Sequence, residues 1–222
     1  HAKDSKAGYN VTTPQQAWVY WNTLQHQRTA GEVFEIAMEH ARRAVERAKA
    51  RTGQDIDVIS FAELKSKLAY SLPKQDASLN FPEQSRLATR ALIESLGITR
   101  PTVVMGFGSI PYSAVSLRDE SLRATISEAV QPFGLGLVNY FAGISDMSFF
   151  GEASGDLSVA ASNTPIWGTS FTLAEPAGYP CINIGPWGRD YHHWLERLHA
   201  PYAFETLPKV LLAVIDAVSK KG

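Results

Sequence analysis

Helix-like and strand-like segments alternate along the chain from residue 82 onward, and this alternation constrains the fold more than any other feature. The apolar spacing predicts helices at 82–96, 117–130 and 204–220, and strands at 101–107, 136–141 and 180–185. Alternating strands and helices are typical of α/β layers, in which crossover helices join parallel strands. The sequence therefore predicts an α/β fold with a largely parallel sheet and flanking helices.

The first 70 residues follow a different, mostly helical pattern. Capping residues and helical spacing predict a helix at 15–26, preceded by Thr13, and a longer helix at 29–51 that ends before Gly53. The apolar side predicted for the longer helix consists of Val33, Ile36, Ala37, Ala41, Ala44, Val45 and Ala48.

A polar stretch separates these two patterns. A strand is predicted at 57–61, and Ser60 is placed to cap a helix at 61–68. Residues 71–82 then turn polar and contain two prolines. Because such segments are typical of linkers, we place a domain boundary after residue 78.

Composition narrows the classes of partner and compartment. The formal net charge is −1, so no strong field favours nucleic acid or an anionic membrane. The single cysteine, Cys181, excludes an intrachain disulfide and cysteine-rich zinc clusters, and it suits a reducing compartment. Since the sequence shows neither a long apolar run nor an apolar signal segment at its start, we expect a cytoplasmic protein.

The richest cluster of chemical side chains follows the third predicted strand. A Gly-Pro-x-Gly turn precedes Asp190, His192, His193, Glu196 and Arg197, which fall within eight residues. If His192 begins a helix, Glu196 lies one turn later on the same face, where its carboxylate can orient the imidazole. Neutral imidazole is the commonest metal ligand. However, adjacent histidines in a loop rich in Trp and Tyr more often contribute to packing and hydrogen bonding than to metal binding.

The other two strand ends carry weaker signals. After the second strand, Ser145 and Asp146 can position a substrate, but either residue can also cap a helix. After the first strand, the glycines around Ser109 match neither a phosphate-binding loop nor the G-x-S-x-G nucleophile elbow. A serine hydrolase that uses Ser109, Asp146 and His192 has the right chain order, and it stays a third interpretation.

Two stretches taken in order carry a family resemblance. Residues 143–149 (Gly-Ile-Ser-Asp-Met-Ser-Phe) and 183–197, which end in His-His-Trp-Leu-Glu-Arg, resemble the end of the co-catalytic zinc amidohydrolases. That family includes aminoacylases, succinyl-diaminopimelate desuccinylase and glutamate carboxypeptidases. Residues 9–15 and 163–168 are most similar to the branch called arginine-utilisation protein, and this resemblance covers nearly the whole chain.

The resemblance implies roles for four residues. His192 would bind one of two bridged zinc ions, and Glu196 would support it as the neighbour four residues later. Ser145 and Asp146 would face the substrate. Many relatives follow this pair with a small residue and an arginine that grips a substrate carboxylate, whereas this chain has Met-Ser there.

The same resemblance implies that the site is incomplete in this chain. The sequence contains no His-x-Asp and no Glu-Glu pair, so the other zinc ligands and the general base are expected in an N-terminal half-domain. Residues 1–78 would be the later part of an α+β lid that forms a homodimer, and residues 79–222 the second half of the zinc-peptidase catalytic domain. The implied function is hydrolysis of an N-acylated amino acid or small peptide, with the isolated chain inactive. The alternative is a non-catalytic α/β module for dimerisation or binding.

Overall fold

The computed structural model describes residues 2–4, 15–25, 28–68, 76–112, 115, 117–139, 146–151, 157–170 and 178–220. Helices and short strands are mixed along these ranges, which is compatible with the predicted α/β class. The predicted zinc-peptidase domain stays a prediction. The chain forms two compact units. Unit 1 comprises His1–Ala114 and Ser154–Glu175, and unit 2 comprises Val115–Ala153 and Pro176–Gly222.

Unit 1 is built around a parallel pair of strands, β3 (Asp57–Ser60) and β4 (Thr102–Met105). Their register runs from Asp57 opposite Thr102 to Ser60 opposite Met105. The core beside them contains Phe61, Leu64 and Leu92, with Ile59, Ile93, Leu96, Ile98 and Val104 packed against it. Strand β3 precedes the predicted domain boundary after residue 78, and β4 follows it. The division of the chain at that residue into a lid and a catalytic half stays a prediction.

Helix α1 (Ala30–Thr52) lies within one residue of the predicted bounds at each end, because its termini carry strong local signals. Thr29 and Glu32 form a capping box, and Gly53 ends the helix in the left-handed conformation. The predicted apolar side is only partly right. The buried residues are Ala30, Phe34, Met38 and Val45, whereas Ile36 is exposed. Large Phe and Met side chains bury more area than the alanines that defined the predicted side.

Helices α2 (Phe61–Ser66) and α3 (Phe81–Ser95) also confirm the sequence prediction. Ser60 and Glu63 form a second capping box at α2. Asn80 caps α3, and Gly97 follows this helix at φ 59°. A short helix, α5 (Ser158–Asn163), completes the described helices of unit 1.

The helix predicted at 15–26 is wrong. Strand β2 (Ala17–Val19) pairs antiparallel with β1 (Ala2–Asp4), with Lys3 opposite Trp18. Val19 and Trp21 are exposed, so these apolar residues do not form the buried face that a helix would need. Aromatic and β-branched residues favour a strand here. Thr13, the predicted cap, lies outside the described residues.

Unit 2 is centred on two packed helices, α4 (Glu120–Val130) and α6 (Leu207–Ser219). Both helices were predicted, although α4 begins three residues later, at the residue that follows the Asp119 cap. A five-residue π-helical turn, Tyr202–Thr206, leads into α6. The buried core residues are Ile126, Val130, Val210 and Val214.

The strands predicted at 136–141 and 180–185 are not formed in the described part of the chain. Residues 136–139 are irregular, and 140–141 lie outside the described residues. Tyr179 makes an isolated parallel bridge to Gly151, and the irregular segment after it places Ile182 and Ile184 against the unit 2 core. Over the described ranges, β3–β4 is therefore the one parallel ladder among three two-stranded ladders.

Among the described helices, none combines the length and the apolar character needed to cross a membrane.

Candidate metal-binding hairpin

The segment that carries His192 is a β-hairpin and not a helix. Strands β5 (Gly188–Arg189) and β6 (Arg197–Leu198) pair antiparallel, and residues 190–196 form the turn between them. Within this turn the His193 N–H donates to the Asp190 carbonyl at 3.0 Å, and the Glu196 N–H donates to the His193 carbonyl at 2.9 Å. His192 therefore does not begin a helix, and the condition under which Glu196 would lie one helical turn later on the same face is not met.

His192 lies in a backbone conformation that is unusual for a residue with a side chain. Its φ is 59°, and Asp190, two residues earlier, has φ 56°. The left-handed region costs an L-residue about 1–2 kcal/mol, because Cβ approaches the following carbonyl oxygen. Surrounding contacts must hold such a residue in place, and positions of this kind cluster at functional sites.

Glu196 is one of the groups that hold His192, but through the backbone. The His192 N–H donates to Glu196 Oε2 at 3.1 Å. The predicted contact was between this carboxylate and the imidazole. The structure therefore brings the two residues together. The Glu196 carboxylate binds the His192 backbone and so fixes the turn, and His192 is exposed.

The base of the hairpin is fixed by contacts that the sequence did not indicate. The Gly188 N–H donates to the Tyr191 hydroxyl at 2.7 Å, and Arg197 pairs with Asp190 across the turn at 3.2 Å. A Cβ on Gly188 would lie 2.5 Å from the Arg197 carbonyl oxygen, so only glycine permits this close approach of the two strands. The Gly-Pro-x-Gly turn was the one available sign of this requirement.

A further histidine, His199, joins the hairpin to the turn before α6. Its N–H donates to the Trp187 carbonyl at 2.9 Å, and the two rings lie 4.7 Å apart. Its Nδ1 accepts from the Tyr202 N–H at 3.3 Å. His199 was not predicted from the sequence, because it lies beyond residues 183–197, the stretch that carries the resemblance.

The second predicted site is described only in part. Ser145 lies outside the described residues. Asp146 begins a 3₁₀ turn, Asp146–Phe149, after which the Gly151 N–H donates to the Met147 carbonyl at 2.8 Å. The roles of Ser145 and Asp146 in substrate binding stay predictions.

The first strand end is held by a residue from elsewhere in unit 1. The Asn163 carbonyl accepts from the Phe107 N–H at 2.8 Å, and Asn163 Oδ1 accepts from the Ala62 N–H at 3.0 Å. A Cβ on Gly106 would lie 2.8 Å from the Asn163 carbonyl oxygen. Glycine at this position therefore permits the close approach of the two backbone segments. Ser109 lies in the bend that follows, in unit 1, whereas His192 belongs to unit 2.

The hairpin does not fit a complete zinc site by itself. Within the described residues, no three His, Cys, Asp or Glu side chains come together as a metal-binding group. Zinc in proteins takes four ligands, with three or four from the protein, so a single imidazole leaves most positions to water. Further ligands would have to come from residues other than those described.

Two known proteins are similar to nearly all of this chain. Both come from Bacillus subtilis (strain 168). Uncharacterized protein YqjN is 30% identical over 99% of this chain and 47% of its own length. Protein RocB is 27% identical over 95% of this chain and 45% of its own length. The chain therefore spans about half the length of the curated relatives that it matches.

No family model and no solved structure matches the chain. The two alignments nevertheless run along almost the whole chain, so it is a distant homologue of YqjN and RocB. This homology is consistent with the resemblance to peptidases and amidohydrolases that residues 143–149 and 183–197 carry.

Proposed function

We propose that this chain is one part of a metal-dependent amidohydrolase, in which the hairpin supplies one zinc ligand, His192. The observation that carries the proposal is the alignment of nearly the whole chain with about half of YqjN and half of RocB. A protein of that length has room for the other ligands and for the general base, which the resemblance places in an N-terminal half-domain. The reaction proposed is cleavage of the amide bond in an N-acylated amino acid or small peptide, within an arginine-utilisation type of enzyme.

The hairpin geometry supports the role of His192 over that of its neighbour. His192 has the left-handed backbone and the bond to Glu196, whereas the Nδ1 of His193 accepts from the Leu195 N–H at 3.4 Å. One ring nitrogen of His193 is therefore occupied within the turn. The proposed assignment gives His192 the metal and gives His193 a structural role.

Zinc content tests this proposal directly. We would measure it by elemental analysis in this chain and in a form extended upstream to the length of the relatives. We expect about two zinc ions in the extended protein and no tightly bound zinc in this chain alone. His192→Ala should remove at least one of the two ions, since zinc would lose a direct ligand.

His193→Ala is the matched control, because it removes an adjacent exposed imidazole from the same turn. The extended protein with this change should keep its zinc and its activity on an N-acylated amino acid. Zinc content that is zero in the extended protein, or equal in the two variants, would contradict the proposal and favour the non-catalytic binding module.

A further inference from the structure

Helix α6 is apolar on two sides, and only one of these sides is covered. Val210 and Val214 face the unit 2 core. A second set lies outside: Phe204 is 72% exposed, Leu211 38%, Leu212 62% and Ile215 57%. We call these four residues the outer stripe. A surface helix normally shows one apolar stripe, whereas a helix that is apolar all round is buried.

The outer stripe is continuous along the helix. Within α6, Ile215 lies four residues after Leu211 and three after Leu212, which is the spacing of neighbours on one helix face. Phe204 precedes them in the π-helical turn that leads into the helix. Exposed apolar surface of this kind, bordered by charges, marks a site of association. The nature of the partner depends on the charges beside the outer stripe.

Four charged residues along one flank of the outer stripe indicate the partner. Glu205, Lys209, Asp216 and Lys220 are all exposed, and they follow one another at helical spacing beside Leu212. In the part of the chain that is described, none of their side chains takes part in an ion pair. Their signs run negative, positive, negative, positive along the helix.

This order of charges is self-complementary in an antiparallel pair. If a two-fold axis passes between residues 212 and 213, Lys209 and Asp216 lie at equal distances on either side of it, and so do Glu205 and Lys220. A two-fold axis brings the same flank of both helices together. Each lysine would then face an acidic residue of the other copy, and the outer stripes would pack against each other.

We propose that α6 is a homodimer interface, in which the outer stripes of two copies pack antiparallel and the flanking charges pair as described. The contact covers only four to five helical turns, so the dimer is expected to be weak. The occupant proposed here is a second copy of this chain. A homodimer through the predicted lid in residues 1–78 is a separate expectation, which the same experiment distinguishes.

Charge reversal tests the register of this pairing. Sedimentation equilibrium of the full chain, from about 1 μM to about 1 mM, measures the dimer dissociation constant. Lys209→Glu alone, or Asp216→Lys alone, places like charges opposite each other at two symmetric contacts and should weaken the dimer about tenfold. The double variant, Lys209→Glu with Asp216→Lys, should return to within about threefold of the original value because opposite charges face each other again.

An apolar-to-charged change provides the matched control. Leu212→Glu should abolish the dimer, whereas Ile36→Glu, at an exposed apolar position of helix α1, should leave it unchanged. A chain that stays monomeric throughout the concentration range overturns the proposal. So does a dimer that Leu212→Glu leaves intact, which would place the interface on another surface such as the predicted lid. Single reversals that the double variant does not rescue overturn the antiparallel register.

Disulfide trapping gives a readout that does not depend on affinity. In a Cys181→Ser background, Leu212→Cys lies beside the two-fold axis and should form a disulfide with the other copy. Ser219→Cys lies on the same exposed side, but the rise of 1.5 Å per residue would separate the two copies of this position by about 20 Å. It should stay reduced. Equal crosslinking at both positions would indicate a parallel pair and contradict the proposal.

Discussion

His192 combines a costly backbone conformation with a side chain that faces solvent. Its φ of 59° is held by the Glu196 carboxylate, by the Asp190–Arg197 ion pair and by the close strand contact at Gly188. Residues held in the left-handed region are strained, and such residues cluster at functional sites. This constraint is the structural reason for assigning the metal to His192 and not to its neighbour.

The strain at His192 predicts that a glycine substitution there stabilises the chain, although such substitutions usually destabilise a protein. His192→Gly removes Cβ at a left-handed position and should raise the free energy of unfolding by about 0.5–1 kcal/mol, after the entropy cost of glycine is included. His193→Gly relieves no positive φ and should lower it by a similar amount. Urea unfolding of the full chain measures both. If the two variants change stability in the same direction, the turn is not strained at His192.

At the scale of the element, the capping box of α2 includes a titratable side chain, the carboxylate of Glu63. The Ser60 N–H donates to Glu63 Oε2 at 2.6 Å, and the Ser60 hydroxyl accepts from the Glu63 N–H at 3.1 Å. Hydrogen bonds from the Ser60 backbone, and then from its side chain, lower the pKa of Glu63. The carboxylate therefore stabilises the start of α2 more strongly when it is ionised than when it is protonated.

The capping box predicts a pH-dependent mutational effect. Because the pKa of Glu63 is lower in the folded chain, its contribution is present above the unfolded pKa and is lost as pH falls through the folded pKa. Glu63→Gln should therefore destabilise the chain at pH 7, and this difference should shrink towards pH 3. Ser60→Ala should cost about 1 kcal/mol through the lost cap. Urea unfolding across this pH range checks both changes.

Glu35→Gln is the control, at an exposed position of α1 outside its capping box. Its effect on stability should be small, because surface substitutions away from caps and cores usually are. A Glu63→Gln effect that stays constant from pH 7 to pH 3 would show that ionisation of Glu63 does not support α2.

The elements that could be predicted from sequence are those with local signals. The capping boxes at Thr29 and Ser60, and the glycines after α1 and α3, act over three or four residues, so the sequence contains the whole interaction. In the segment predicted as a helix at 15–26, Val19, Trp21 and Leu24 are exposed, so its apolar residues do not form one buried face. The strand pairing of β1 and β2 depends on distant residues, which spacing within one segment cannot indicate.

The candidate site was predictable in its residues but not in its geometry. The segment 190–197 was identified because it concentrates His, Asp, Glu and Arg. Its hairpin depends on Asp190 and His192 both adopting positive φ, a conformation that only glycine signals clearly in a sequence. A four-residue separation between His192 and Glu196 fits both a helix and a hairpin turn, so the spacing alone could not distinguish them.

At the scale of the molecule, the described residues form two hydrophobic cores, one in each unit. One contains Phe61, Leu64 and Leu92 in unit 1, and the other contains Ile126, Val130, Val210 and Val214 in unit 2. The sequence predicted the helices that carry these residues, at 61–68, 82–96, 117–130 and 204–220. It did not show which helices share a core, because that depends on packing between segments far apart in the chain.

Separate cores predict that a cavity in one unit loosens that unit first. Leu64→Ala and Ile126→Ala each truncate a buried side chain and should cost about 2–5 kcal/mol. Hydrogen exchange should then become faster at the amides of α3 and β4 for Leu64→Ala, with α4 and α6 unchanged, and the reverse for Ile126→Ala. Exchange that accelerates equally in both units for either variant would mean that the two cores unfold as one cooperative body. In that case the hairpin and the α6 interface would depend on the unit 1 core as much as on their own.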